Sequence, residues 1–288
     1  IIVTSVSIDS TTQLRIAATI TDTAAGGPRD VILINAPPGG GPDTLKNGLT
    51  ISNPAPTLTG VSVQNAARLQ TLYISLTGTR FLKNVTTVDM GTGITYISTV
   101  AESPTQLRVG FSVDSSAALG SRNIKVTNPA PGGGSDSLVG ALTINNPAPS
   151  ITTLSPESTK VGGGPLVLTV NGSNFVPGVS VRFGGRVLTS TLVSRTRMTA
   201  ALAASDIDTA RSFVVDVIAP APGGGTSNAK NFIVQNPVPT LTSFTPSSGS
   251  RLQTLDLTFT GTNYVPGFTQ VDFGGADITT NSITVTGS

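Results

Sequence analysis

Leu166-Val167-Leu168-Thr169-Val170-Asn171-Gly172-Ser173-Asn174-Phe175-Val176-Pro177-Gly178-Val179 reads as one strand followed by two turns. Leu166, Leu168 and Val170 fall on one face and Val167, Thr169 and Asn171 on the other, the period-two pattern of a strand covered on one side. Asn171 to Asn174 is rich in turn formers, and Phe175 then returns an aromatic side chain to the covered side. Pro177-Gly178 turns the chain again. Outward from this stretch the same pattern continues. Ile151 to Leu154 is a short first strand, turned by Ser155-Pro156 and Gly162-Gly163-Gly164-Pro165. Val179, Val181 and Phe183 alternate with Ser180 and Arg182, and Gly184-Gly185 leads into a strand over Val187 to Val193. Met198, Ala200 and Leu202 alternate with Thr199 and Ala201. Ser205-Asp206-Ile207 is expected to form a single helical turn with Ser205 as its cap. Phe213, Val215 and Val217 line the next strand, and Gly223-Gly224-Gly225 joins it to the last, Asn231 to Val234. About seven short strands with turns every 8–12 residues predict an Ig-like sandwich, without the Trp and Cys pair of antibody domains.

The pattern repeats along the chain. The linkers Asn53-Pro54-Ala55-Pro56, Asn146-Pro147-Ala148-Pro149 and Asn236-Pro237-Val238-Pro239 start 93 and 90 residues apart. The glycine triplets Gly39-Gly40-Gly41, Gly132-Gly133-Gly134 and Gly223-Gly224-Gly225 recur at 93 and 91. Gly78-Thr79-Arg80-Phe81, Gly172-Ser173-Asn174-Phe175 and Gly261-Thr262-Asn263-Tyr264 form a third marker. Val88-Asp89-Met90-Gly91, Val181-Arg182-Phe183-Gly184 and Val271-Asp272-Phe273-Gly274 form a fourth. Gln13-Leu14-Arg15 and Gln106-Leu107-Arg108 make a fifth, with Arg197-Met198-Thr199 a looser match. A period near 90 residues is one small sandwich rather than a solenoid unit of about 20–50 residues. The order of the markers predicts four segments: 1–52 as the second half of a module, 53–145 and 146–235 as complete modules, and 236–288 as a first half.

The run from Gly172 to Val179 with Val181-Arg182-Phe183-Gly184-Gly185 resembles the IPT/TIG family of Ig-like domains, and so does Asn128-Pro129-Ala130-Pro131-Gly132-Gly133-Gly134-Ser135. The resemblance spans essentially the whole chain as two copies and two halves. Residues 53–145 depart from the pattern where Met90-Gly91-Thr92-Gly93 and Lys83-Asn84 stand in place of Phe183-Gly184-Gly185 and Pro177-Gly178. The resemblance implies a fold, not an activity. Family members occur in bacterial surface proteins, as spacers in carbohydrate-active enzymes, in receptor ectodomains and in transcription factors.

Composition agrees with an all-β chain of tandem sandwiches. Among 288 residues there are 32 Gly and 20 Pro, and only 11 % are charged. Strand formers and turn formers alternate, and long runs of helix formers are missing. The 17 basic and 15 acidic residues leave a net charge of +2, with the basic ones scattered singly. Nucleic-acid binding needs them clustered, so no nucleic-acid partner is expected. With no Cys and no His there is no disulfide, thiolate metal site or cysteine nucleophile, and the commonest general base and metal ligand is missing. No apolar run reaches the length of a membrane span. The sequence opens inside the strand-like run Ile1-Ile2-Val3, so an N-terminal address is expected to lie outside it.

Each candidate site has a structural reading beside the functional one. Asp206 and Asp208 flank Ile207 as turn acids, which favours solvation over a weak metal site. Asp89, Arg182 and Asp272 share one strand position, as an outward face permits. The glycine triplets join strands and lack the Lys-Ser/Thr of a phosphate loop, so they are expected to be hairpin turns. Phe81, Phe175, Phe183, Tyr264 and Phe273 recur at module positions that favour the core over sugar stacking. Asn84-Val85-Thr86 and Asn171-Gly172-Ser173 fit a glycosylation sequon weakly. The Lys residues do not recur in register, which speaks against Lys–Asn crosslinks. No catalytic, cofactor-binding or metal residue is assigned, and no cofactor is expected.

The linkers carry the mechanical content. Pro54 and Pro56, Pro147 and Pro149, and Pro237 and Pro239 fix φ, lack an N–H and push the preceding residue to extended geometry. Asn53, Asn146 and Asn236 therefore open short, stiff joints, and modules so joined are expected to form a rod of limited bending. The expectation is a non-enzymatic extracellular structural or adhesive protein, a segment of a bacterial surface fibre, stalk or filament. The alternative is a carbohydrate-binding or spacer region of a secreted or surface enzyme. Scarce exposed aromatics weaken it: there is no Trp, and Tyr73, Tyr96 and Tyr264 are the three Tyr. The expected partners are copies of the chain itself or adjoining modules of a longer chain, and a cell-surface or glycan ligand is the further candidate. The two halves are nearly complementary. Either the sequence is a window on a longer chain, or the last half of one copy completes the first half of the next, head to tail.

Overall fold

A computed structural model describes residues 1–275 and 278–285. The chain divides into two compact units. The first is Ile1–Ser150 with the short stretches Asn174–Val179 and Ile218–Ser227; the second is Ile151–Ser173, Ser180–Val217 and Asn228–Ser288.

In the first unit the strands between 57 and 145 make two four-stranded sheets. One runs Thr57–Val61, Thr71–Thr79, Gln106–Val113, Ile94–Ser103 in spatial order; the other runs Asn65–Ala67, Gly134–Asn145, Gly120–Asn128, Thr87–Asp89. Pairing is antiparallel except where Asn65–Ala67 runs parallel to Thr143–Asn145. The chain thus crosses from one sheet to the other within its first strand region. Alternation decides which side chains fill the space between the sheets. Ile74 and Leu76, then Leu107, Val109 and Phe111, then Ile124 and Val126, then Leu142 and Ile144 are all buried, and Phe81 and Met90 close the same cluster. Each contributes about 1.5–3 kcal/mol relative to an exposed side chain.

Residues 1–52 form two separate hairpins, Ile2–Ser10 with Gln13–Thr19 and Gly27–Ile34 with Pro42–Ile51. Their apolar positions match those of the sandwich one period later, but the surroundings differ. Leu14, Ile16, Leu33 and Leu49 are exposed, whereas their counterparts Leu107, Val109, Val126 and Leu142 are fully enclosed. In the sandwich the Thr71–Thr79 strand pairs edge to edge with Gln106–Val113, and Thr57–Val61 extends that sheet and contacts Gly120–Asn128 and Gly134–Asn145 of the other; residues 1–52 contain no equivalent of either strand.

The strands between 150 and 235 again make two sheets. Ser150–Ser155, Leu166–Ser173, Arg197–Leu202 and Ser190–Ser194 form one. Ser158–Lys160, Lys230–Gln235, Arg211–Ala219, Ser180–Phe183 and Arg186–Val187 form the other, with Gly225–Thr226 on the end of Arg211–Ala219. Phe183 stacks on Phe213 at 4.5 Å between centroids and meets Phe232 edge-on at 5.6 Å, so three strands of one sheet share an aromatic cluster. Two local expectations change. The predicted strand over Val187 to Val193 is two strands, Arg186–Val187 and Ser190–Ser194, on different sheets. The chain crosses between sheets at buried Leu188. The helical turn is a 3-10 turn, Ala204–Asp206, and the Asp206 carboxylate, not Ser205, caps it by accepting the Ala203 N–H at 2.9 Å.

Residues 236 onward contribute one two-stranded sheet, Thr240–Thr245 with Thr258–Thr262, and Phe244 stacks on Phe259 at 5.7 Å. The core reading of Tyr264 and Phe273 is corrected here. Tyr264 is half-buried and Phe273 is 39 % exposed, because no second sheet covers this face among the described residues. No helix among the described residues is long and apolar enough to cross a membrane.

Candidate functional site: the joints between repeats

The linker asparagines and the glycine triplets, which lie far apart in sequence, meet in space. At Asn53 the backbone N–H donates to Pro131 O at 2.7 Å, and Gly133 N–H donates back to Asn53 O at 2.6 Å. The Asn53 side chain donates Nδ2 to Pro129 O at 2.7 Å. At Asn146 the pattern recurs. Asn146 N–H donates to Pro222 O and Gly224 N–H to Asn146 O, both at 2.8 Å. Asn146 Nδ2 donates to Pro220 O, also at 2.8 Å. Parallel bridges Asn53↔Gly132 and Asn146↔Gly223 record the same geometry. The triplets are therefore more than hairpin turns. Each folds back and clasps the asparagine that opens its own repeat.

Local chemistry explains the residue types. Gly132 and Gly223 both sit at φ +69°, where an L side chain is strained. A Cβ on Gly133 would lie 2.2 Å from Asn128 O. The residue after each clasped Asn is a proline, which has no N–H to satisfy and carries the chain onward in extended form. The asparagine is the residue type able to hold a donor, an acceptor and a side-chain amide in so small a space.

The third marker supplies a second tie. Asn174, in the left-handed region at φ 61°, donates Nδ2 to Ala148 O at 2.9 Å; Asn263, at φ 64°, donates to Val238 O at 3.0 Å. Arg80 occupies this position in residues 53–145, at φ 60°. The start of each sandwich is also pinned to its closing segment, at Asp136 in the last strand of one and at Asn228 just before the last strand of the other. Leu58 N–H donates to Asp136 Oδ2 and Ile151 N–H to Asn228 Oδ1, each at 2.8 Å. The Leu58 N–H and then the Ser137 N–H hold the Asp136 carboxyl below its usual range. Asn128, fully buried, donates Nδ2 to Pro54 O at 2.8 Å and Arg80 O at 2.9 Å and accepts from Thr86 Oγ1 at 2.6 Å.

One joint residue was not singled out from the sequence. Arg68, 8 % exposed, donates Nε to Ala117 O at 2.8 Å and Nη1 to Asn146 Oδ1 and Pro177 O, both at 3.1 Å. A signal existed: Ala67-Arg68-Leu69-Gln70-Thr71-Leu72 recurs as Ser250-Arg251-Leu252-Gln253-Thr254-Leu255.

The remaining candidates fall into place individually. Phe81, Phe175 and Phe183 are buried, so they do not offer faces to a sugar. Tyr73 is 55 % exposed, with the Arg108 guanidinium 5.4 Å from its ring centre. Asp206 pairs with Arg186 at the rim of a shallow open groove, and Asp208 accepts from Thr209 Oγ1. No group of acids among the described residues could hold a metal ion. Asp89 and Asp272 each accept the N–H two residues on, from Gly91 and Gly274, at 2.8 Å. Arg182, at the same repeat position, instead forks onto both Asp216 oxygens at 2.6 and 2.8 Å, and that pairing raises its already high pKa.

The family model of the IPT/TIG domain matches residues 149–234. No curated protein matches the chain. Among solved structures the chain is similar to the plexin A4 full extracellular region, at 14 % identity over 58 % of this chain with a TM-score of 0.25. It spans 17 % of that chain. It is also similar to the Yersinia pseudotuberculosis adhesin InvE, at 11 % identity, 62 % of this chain, 58 % of the other and a TM-score of 0.38. A third is the Bacteroides ovatus SGBP-B in complex with a mixed-linkage heptasaccharide, at 16 % identity, 73 % and 53 % coverage and a TM-score of 0.25. Residues 149–234 therefore carry an IPT/TIG domain, within an all-β chain of tandem Ig-like sandwiches.

Proposed function

We propose that the chain is a non-enzymatic structural or adhesive segment of an extracellular bacterial fibre, stalk or filament. The observation that carries this reading is the recurring clasp, built twice from Asn53 with Gly132-Gly133 and from Asn146 with Gly223-Gly224. The same backbone closure anchors the linker asparagine at the start of both complete repeats, which supports a role in holding modules in series. Immunogold labelling of producing cells tests it. Label on surface appendages is expected, and label confined to the cytoplasm would sink the proposal.

The open faces of residues 1–52 and 236–288 are covered, on this reading, by sandwich halves of matching kind from an adjoining module or from a second copy. The Thr86–Asn128 pair shows what matching means. Asn35 stands at the Asn128 position of the first half. In the last half Thr269 stands at the Thr86 position, and its Oγ1 accepts the Val265 N–H as Thr86 Oγ1 accepts that of Leu82. The 146–235 repeat carries Ala219 in place of the asparagine. Mass photometry separates the two sources. Growth in steps of one 29.1 kDa chain points to copies, and a persistent monomer points to adjoining modules.

A glycan-binding role is the second reading, favoured by exposed Tyr73 beside Arg108. A glycan array with the parent chain and Tyr73→Ala tests it, and binding that ignores the substitution removes this site.

A further inference from the structure

The Asn146 joint contains a device that repeat comparison makes specific. Arg68 is buried, yet every acceptor it reaches is neutral: the Ala117 carbonyl, the Asn146 side-chain oxygen and the Pro177 carbonyl. It makes none of the ion pairs found among the described residues. Burying a guanidinium without a carboxylate is costly, and its planar fork is the side chain able to span three divergent acceptors while staying charged. The acceptors come from three places along the chain. Ala117 belongs to the same repeat as Arg68, Asn146 is the clasped linker residue, and Pro177 lies in the turn after Phe175 of the following repeat.

The equivalent positions differ in a patterned way. Arg251 sits in a matching turn, since Ser250 N–H donates to Gln253 Oε1 at 2.9 Å as Ala67 N–H donates to Gln70 Oε1 at 2.8 Å. Leu69 and Leu252 share φ values of 68° and 69°. In the 146–235 repeat the position is Val161. Its N–H donates to Gln235 O at 2.9 Å, just as Arg68 N–H donates to Asn145 O at 2.9 Å. Two of the three acceptor residues are nevertheless retained beyond Val161, with Asn236 at the Asn146 position and Pro266 at the Pro177 position.

We propose that Arg68 is a latch that locks the Asn146 joint, and that Val161 leaves the Asn236 joint unlatched, so that one residue position sets which joints of the array are stiff and which are compliant. The latch acts on the linker through Asn146 Oδ1, leaving the clasp free to form through the backbone and Nδ2.

The chain has no Cys, so spin labels can be placed by design. Exposed Lys125→Cys with Thr191→Cys reports on the Asn146 joint, and Thr191→Cys with Ser243→Cys on the Asn236 joint. In the full 288-residue chain, double electron–electron resonance is expected to give a narrow distance distribution across the first joint and a broader one across the second. Arg68→Met keeps the aliphatic stem and removes the fork. It is expected to widen the first distribution roughly twofold and speed exchange of the Asn146 amide about tenfold, with the circular dichroism spectrum unchanged. Val161→Arg is expected to narrow the second distribution. Equal widths at the two parental joints, or an unchanged width in a folded Arg68→Met chain, overturns the proposal. If Arg68→Met does not fold, Val161→Arg decides, and no narrowing overturns it.

Discussion

Replacing Asn128 by Ala removes a fully buried amide that makes three hydrogen bonds, to Pro54 O, to Arg80 O and from Thr86 Oγ1. Each neutral bond is worth about 1 kcal/mol net, and a buried group left without its partner costs about 1–3 kcal/mol. The sum is about 3 kcal/mol at the least. For a domain of this size each kcal/mol moves Tm by roughly 4–8 °C, so the transition of residues 53–145 is expected to fall by at least about 12 °C. Differential scanning calorimetry of the whole chain measures this, and the chain supplies its own control. The 146–235 repeat already carries Ala at this position, as Ala219, and its transition should stay in place. Its path from Phe175 to Val181 is one residue shorter than that from Phe81 to Val88, which removes the Thr86 position. Ala219→Asn should therefore destabilise rather than rescue, because the new amide lacks that partner. A fall under about 3 °C for Asn128→Ala, or a gain for Ala219→Asn, would refute the reasoning.

Other substitutions bear on the joint and the core. Gly133→Ala places a methyl 2.2 Å from Asn128 O at φ +73°, so exchange of the Asn53 amide hydrogen, which donates to Pro131 O in the parent, should be faster in the variant by hydrogen-exchange measurement. Phe183→Ala empties the centre of the aromatic cluster with Phe213 and Phe232 and should cost about 3–5 kcal/mol in urea titration. Stability of residues 53–145 should fall as pH drops below about 4. The folded Asp136 carboxyl sits below its usual value of 3.8, so its contribution is present above that value and is lost as pH falls through the depressed one. Asp136→Asn should flatten that part of a pH–Tm series, because an amide at this position keeps its role without titrating, as Asn228 does for Ile151 in the 146–235 repeat.

Periodicity made the strands legible, because alternation such as Leu166, Leu168, Val170 is imposed by burial on one face alone. Recurrence located the joints for the same reason: five markers at one spacing have to serve one structure. What recurrence could not show was the bonding. Asn53 and Pro129 are 76 residues apart, and only closure of the sandwich brings the amide to that carbonyl. The break at Leu188 was hidden because an apolar run reads alike whether or not the chain changes sheets within it. Asp206 displaced Ser205 as the cap because its carboxylate reaches back to the Ala203 N–H while also meeting Arg186. Arg68 was passed over as one scattered cation, since nothing local distinguishes a solvated arginine from one buried at a joint.

The parallel pairing of each repeat's opening and closing segments governs how the chain meets tension. Asn65–Ala67 lies beside Thr143–Asn145, and Ser158–Lys160 beside Ile233–Gln235, in both cases parallel. A pull applied at Asn53 and Asn146 draws the first pair past one another along their length, and one applied at Asn146 and Asn236 does the same to the second. Every hydrogen bond between them then takes the load at once, as a lap joint does, and none can be peeled open one after another from an end.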